Sequence, residues 1–420
     1  METVKQITRF PKGVVNIPPS KSVGHRALIC AALAQEGGTV INPGTNDDIT
    51  ATLRCLKALG ARYSCQDSTV RFYSAAAPLQ EAPLLDCGES GSTLRFLIPV
   101  AASLGKCVRF TGHGRLMQRP QQPYIDCLKV NGVTLTQTDD ILITEGTLQP
   151  GTFTLAGDVS SQFITGLLFA LPLLSGQSKI VLSTPLQSRG YVDLTLAALA
   201  DFGIVVHNEN YACFTVPGDQ AYKAPTAYTV EGDYSGAAFF LVAGALGADV
   251  TVAGLKENSA QGDAAILQIL KRAGAQVTAT PKGIKVTAKV LRPLTVDVSE
   301  IPDLVPPLAA LMCFCLGESQ IVNAARLRIK ESDRLATVTS ELNALGADIT
   351  EHMDSLIIKG VDCLQGGKAH AHNDHRIAMM VATAAIRSKG LVTLTQPDCV
   401  KKSYADFWQH FQQIERDDIT

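Results

Sequence analysis

The 420-residue chain carries 37 Lys and Arg against 39 Asp and Glu, a formal net charge of -2. That balance excludes a generally basic nucleic-acid coat and a long acidic tail. Charged residues make up 18% of the chain, below the roughly 25% of an average soluble domain, so any cluster of charge is informative. At roughly 100–200 residues per domain, the length corresponds to two or three domains.

The start, Met1-Glu2-Thr3-Val4-Lys5-Gln6-Ile7-Thr8-Arg9-Phe10, has no apolar run after a basic opening, so no secretory leader is expected. The longest apolar runs cover 236–248 and 304–317, the second broken by Pro306 and Pro307. Both fall short of the about 20 residues that a membrane span needs. The 11 cysteines show no repeated pair spacing and read as reduced, mostly buried residues of a cytoplasmic protein.

Along the chain one pattern recurs: an apolar-periodic helix, a glycine, then two short alternating strands. The helices are expected at 51–59, 125–130, 196–202, 266–273 and 338–345, followed by Gly60, Gly132, Gly203, Gly274 and Gly346. The glycines are spaced by 72, 71, 71 and 72 residues. A sixth helix is expected at 404–414. Glycine after a last helical turn is a left-handed cap. The segments that follow read as hairpins, for example 275–280 with 283–287, and 204–216 turning around Asn208-Glu209-Asn210. One such unit cannot bury its apolar face alone. The fold class is therefore α/β (in the α+β sense), built as six repeat units in two globular halves of three, with the midpoint near residue 230.

The charged and hydroxylic clusters sit at loops and helix starts. Pro19-Ser20-Lys21-Ser22-Val23-Gly24-His25-Arg26 opens a helix whose free N–H groups and dipole suit an anion, although an ordinary capped helix has the same look. Gly88-Glu89-Ser90-Gly91-Ser92-Thr93-Leu94-Arg95 lets a ligand approach the backbone. Gly112 to Pro120 reads as a mobile loop bearing Arg115 and Arg119. Ser160-Ser161-Gln162 precedes an apolar helix expected at 163–173. Arg326-Leu327-Arg328-Ile329-Lys330-Glu331-Ser332-Asp333-Arg334 is dense in charge for such a chain. His370-Ala371-His372-Asn373-Asp374-His375-Arg376 invites a metal site, but its spacings are not the i, i+4 of a helical ligand pair. Asp374 instead suits the cap of a helix at 377–386. Lys401 and Lys402 precede the last helix. Together, Lys21, Arg26, Arg95, Arg119, Lys330, Arg334, Arg376 and Lys402 outline a cleft for small, multiply anionic substrates.

On these motifs, in this order over nearly the whole chain, the sequence resembles the enolpyruvyl transferase family in its shikimate branch. The resemblance implies a two-domain fold, each domain holding three βαβαββ units. The domains would be 20–229, mainly binding shikimate 3-phosphate, and 1–19 plus 230–420, with the active site in the cleft between them. It also implies transfer of the enolpyruvyl group of phosphoenolpyruvate to the 5-hydroxyl of shikimate 3-phosphate, the sixth step of the shikimate pathway to aromatic amino acids. Carried over residue by residue, Asp303, Glu331 and Lys21 are the catalytic acid–base groups. Lys21, Ser22, Arg26, Ser160, Ser161, Gln162, Ser188, Asp303 and Lys330 contact shikimate 3-phosphate. Lys21, Gly91, Arg119, Gln162, Arg334, Arg376 and Lys402 contact phosphoenolpyruvate. No metal and no cofactor are implied, and neither nucleic acid nor membrane is a partner. A cytoplasmic monomer sensitive to glyphosate is expected. Glu89 and Arg326 stand where some relatives carry Asn. The alternative within the family is the UDP-N-acetylglucosamine branch, which usually carries a reactive Cys where this chain has Gly114. Rivals of other classes are a metal-dependent hydrolase on His370, His372 and His375, and a non-catalytic anion-binding protein.

Overall fold

A computed structural model describes residues 3–74, 82–105, 107–412 and 414–415. Met1 and Glu2, the first residues of the segment read as lacking a leader, lie outside them. The chain forms two compact units, Pro19–Val230 and Met1–Pro18 with Glu231–Thr420. Each has its own apolar core. Among the described residues no helix is long and apolar enough to cross a membrane.

The repeat is a small sheet with one parallel and two antiparallel pairings. In one copy Leu84–Asp86 runs parallel to Val108–Thr111, which pairs antiparallel with Ile141–Gly146, which pairs antiparallel with Val133–Gln137. The same strand order recurs in five four-stranded sheets. Two sheets take their opening strand from elsewhere in the chain. Gly13–Asn16 lies parallel to Val250–Ala253, and Tyr228–Thr229 lies parallel to Gly37–Ile41.

Each copy also has two helices with different burdens. One is apolar on nearly all sides and central: Lys21–Leu33, Gly91–Ser103 and Ser161–Ala170 in the first unit, and Tyr234–Ala245, Val305–Met312 and His375–Ala384 in the second. A helix that is apolar all round belongs in a core. The second helix is peripheral, and these peripheral helices are the ones that the glycine spacing marks: Asp47–Ala58, Gln122–Lys129, Arg189–Asp201, Ile266–Arg272 and Arg334–Ala344. Gly60, Gly132, Gly203, Gly274 and Gly346 all have φ between 76° and 101°, the left-handed cap that only glycine adopts without strain.

Four expectations are corrected. The sixth helix covers only Phe407–Phe411, and Ile414–Glu415 is a strand paired with Arg9–Phe10. Here Tyr404, Phe407 and Phe411 gather around Phe240, and aromatic packing overrides the helical period. Among the described residues the sixth sheet has three strands, Gly367–His370, Val392–Thr395 and Val4–Ile7, the last brought in from the amino end. The hairpin expected to turn at Asn208-Glu209-Asn210 instead keeps Asn208 and Glu209 in the strand His207–Glu209. It reverses at Asn210 and Tyr211, both with positive φ, where the Asn208 side chain accepts from the Tyr211 N–H. The loop at 112–120 is anchored rather than loose. It contains the 3-10 turn Leu116–Gln118, buries Leu116 and Met117, and ties His113 N–H to the Gly88 carbonyl.

Candidate active site

In the unit Pro19–Val230 the three central helices begin with serine caps. Ser20 accepts from the Val23 N–H, Ser90 from the Thr93 N–H and Ser160 from the Gln162 N–H. A hydroxyl cap occupies one free N–H and adds no charge, so the positive end of the dipole stays available to an anion. Around these starts the structure gathers the expected residues into two linked groups. In the first, Arg26 is 3% exposed and donates from Nε to Thr195 Oγ1 at 2.8 Å, from Nη1 to the Ser22 carbonyl at 2.6 Å and from Nη2 to the Tyr191 carbonyl at 2.7 Å. Burial pulls its guanidinium down to about 10. Ser188, in a left-handed conformation, opens the helix that supplies Tyr191 and Thr195. Lys21 Nζ pairs with Asp48 Oδ2 at 2.8 Å. In the second group, Gln162 donates to Ser92 Oγ at 3.0 Å and accepts from Arg95 Nη1 at 2.8 Å. Arg119 lies alongside: a Cβ on Gly91 would stand 2.8 Å from its Nη1. Thr165 and Thr195, 2.9 Å apart, join the two groups.

In the unit holding Glu231–Thr420 the charge is arranged differently. Arg334, 1% exposed, is the hub. Its Nε donates to Asp374 Oδ2 at 2.8 Å, its Nη1 to Asp303 Oδ1 at 3.0 Å and its Nη2 to Glu331 Oε2 at 2.7 Å. Arg376 donates from Nη2 to Asp303 Oδ2 at 3.2 Å and from Nη1 to the Asp303 carbonyl at 3.2 Å. Lys330 Nζ lies 3.8 Å from Asp303 Oδ1. Burial opposes ionisation of Asp303, yet Arg376, Lys330 and Arg334 hold its carboxyl well below the usual range. Asp374 caps the helix His375–Ala384 by accepting from the Arg376 N–H, and Ser332 Oγ donates to it at 2.9 Å. Lys402 Nζ donates to the Asn373 carbonyl at 2.6 Å, which brings it to the same helix start.

Arg334 opens the helix Arg334–Ala344, Glu331 lies three residues before it, and Asp374 caps the helix His375–Ala384, so the ion pairs tie two helix starts together. Sequence reading identified Asp374 as a cap and missed it as a ligand of Arg334. Asp48, the partner of Lys21, was missed as well, although Asn46-Asp47-Asp48 is a readable acidic first turn. Arg326, left out of the site, donates to the Ser299 carbonyl. The three histidines do not converge. His370 and His372 face each other with ring centroids 4.5 Å apart, His372 Nε2 meets Glu341 Oε1, and His375 is buried in the helix. Among the described residues no group of three or more His, Cys, Asp or Glu is arranged to hold a metal ion. A groove of about 380 Å³ lined by Glu36, Arg71, Tyr222 and Lys223 contains none of the expected site residues.

Residues 5–411 match the family model described as EPSP synthase (3-phosphoshikimate 1-carboxyvinyltransferase). The chain belongs to the EPSP synthase family. A relative from Clostridium beijerinckii named 3-phosphoshikimate 1-carboxyvinyltransferase is 45% identical over 413 residues, covering 96% of this chain and 95% of that one. One of the same name from Clostridium kluyveri is 45% identical over 405 residues, covering 96% and 95%. A solved EPSP synthase from Acinetobacter baumannii superposes with a TM-score of 0.79 at 25% identity, covering 98% of this chain and 97% of that chain. Nothing in these likenesses favours the UDP-N-acetylglucosamine branch. At Gly114, with φ 59°, a Cβ would stand 2.6 Å from Glu89 Oε2, the flexible end of a side chain that would have to move.

Proposed function

We propose that the chain transfers the enolpyruvyl group of phosphoenolpyruvate to the 5-hydroxyl of shikimate 3-phosphate and releases phosphate. The observation that carries this is the Asp303 carboxyl held among Arg334, Arg376 and Lys330, which supports reading it as a base inside an anion seat. Family membership supplies the two substrates.

In this reading Ser22, Arg26, Ser160, Ser161, Gln162 and Ser188 hold shikimate 3-phosphate, with Lys21 and Lys330. Gly91, Arg119, Arg334, Arg376 and Lys402 hold phosphoenolpyruvate, with Lys21 and Gln162. Asp303 takes the proton of the 5-hydroxyl as its oxygen attacks the central carbon of phosphoenolpyruvate. Glu331, with Lys21, delivers a proton to the vinyl carbon, which becomes a methyl group in a tetrahedral adduct. Loss of a methyl proton then expels phosphate and restores the double bond. The carboxylate of phosphoenolpyruvate competes with Asp303 for Arg334 and Arg376. Drawing those cations off raises the basicity of Asp303 at the moment that it is needed. We further propose that the protein works as a cytoplasmic monomer.

The decisive assay is phosphate release from purified protein. It is expected only with both substrates present and to survive exhaustive chelation, since arginines and lysines already cover the substrate charges. Release from either substrate alone, or a loss restored by zinc or manganese, would overturn the reading.

A further inference from the structure

One buried carboxyl is not used by the mechanism, and its turn packs against the same helix, Tyr234–Ala245, as the turn Pro302–Leu304 that holds Asp303. Asp263 lies in the 3-10 turn Gly262–Ala265 and is 5% exposed. The Ser235 hydroxyl donates to its Oδ2, and its Oδ1 has no hydrogen-bond partner among the described residues. Asp303, Glu331 and Asp374 each have an arginine nitrogen within 3.3 Å. Asp263 has no ion pair among the described residues, although Asp303 and Arg376 both act on it electrostatically. Among the described residues Asp263 is thus the one of these four carboxyls with no cation within ion-pair distance.

A buried carboxylate without a counter-charge is costly, and the usual resolution is that it keeps its proton. Burial first, then the charge of Asp303, push the Asp263 carboxyl up to about 7 against the pull of Arg376 and Ser235. Asp233, the cap of the helix Tyr234–Ala245, adds to the upward push. Of the other elements packed on this turn, the helix Ile266–Arg272 offers exposed Lys271 and Arg272 at its far end.

We propose that Asp263 is a positioning residue of the phosphoenolpyruvate seat that works in its neutral form. Protonated, it leaves Arg376 to Asp303 and the incoming anion; ionised, it competes for Arg376 and weakens the seat. The inference rests on the proposed reaction and adds a residue and a pH limit to it.

The test is the pH dependence of KM for phosphoenolpyruvate, with shikimate 3-phosphate saturating, between pH 6 and 9. In the wild type KM should rise about tenfold through this range beyond any trend in kcat, the size expected when a unit charge appears beside a substrate-binding arginine. Asp263→Asn should abolish that rise. Ser235→Ala, which removes a donor that favours the carboxylate, should move the rise to higher pH. Superimposable profiles for the wild type and a folded Asp263→Asn, or a shift to lower pH in Ser235→Ala, would overturn the proposal while leaving the reaction standing. If Asp263→Asn does not fold, the direction of the Ser235→Ala shift decides. A wild type that releases no phosphate from the two substrates would overturn the reaction itself.

Discussion

The two units start their central helices with different chemistry. In Pro19–Val230 the caps are Ser20, Ser90 and Ser160. In Glu231–Thr420 Asp233 and Asp374 are caps, and Asp303 sits in the turn leading into Val305–Met312. Serine and aspartate cap about equally well, so helix stability does not explain the difference. What differs is the charge left over. Arg26 donates to a hydroxyl and two carbonyls, whereas Arg334 is clasped by carboxylates. Neutral caps leave an electropositive seat suited to a phosphate. Acidic caps clamped by arginine leave carboxylates whose proton affinity changes when an anion displaces them. In the proposed reaction one repeated scaffold thereby supplies mainly a binding surface in one unit and the carboxylate acid–base groups in the other.

The largest expected effect tests the acidic side. Asp303→Asn keeps shape but cannot accept the hydroxyl proton, and kcat should fall on the order of 10²–10⁴-fold. Calorimetry should still show both substrates binding; near-normal turnover would move the base elsewhere. Next comes a paired comparison of stability. Arg334→Ala strands Asp374, which is fully buried, and should cost about 3–5 kcal/mol in urea unfolding. Arg26→Ala, which loses neutral acceptors, should cost about 1–3 kcal/mol. Equal losses would erase the distinction drawn between the units.

Ser160→Asp converts a neutral cap into an acidic one. The melting temperature should barely change, while affinity for shikimate 3-phosphate should drop about 100-fold, because a carboxylate then faces a phosphate. Unchanged affinity would place the phosphate elsewhere. Gly91→Ala puts a methyl group 2.8 Å from Arg119 Nη1, the flexible end of a side chain, so the arginine has to shift. Inhibition by glyphosate, competitive with phosphoenolpyruvate, should weaken about tenfold; equal inhibition of both proteins would contradict the steric account.

The smallest effect is a slope. The Asp263 carboxyl is raised from 3.8 to about 7 in the fold, so the folded state holds this proton more tightly than the unfolded chain. Its contribution to stability is present below about pH 4 and is lost as pH rises through about 7. Asp263→Asn should therefore gain in melting temperature relative to the wild type between pH 5 and pH 8. A difference constant across that range would show that the group does not titrate there.

The repeat was legible in sequence because it rests on a local rule. Gly60, Gly132, Gly203, Gly274 and Gly346 mark positions where the backbone needs positive φ, and no neighbour in space alters that need. The cap Asp374 was legible for the same reason, since a cap is satisfied within three residues, and the clusters around Ser20, Ser90 and Ser160 were legible as helix starts. What the chain alone left open depends on contacts distant in sequence. Local periodicity does not reveal that Val4–Ile7 closes a sheet with Val392–Thr395, or that Tyr404, Phe407 and Phe411 gather around Phe240. The charges themselves were readable as a list: Lys330, Glu331, Arg334, Asp374 and Arg376. Which carboxylate each cation takes, and which acid, Asp263, is left without one, was decided by tertiary packing. Coulomb pairing depends on distances that the fold alone sets, and in a buried cluster those distances determine which group keeps its proton.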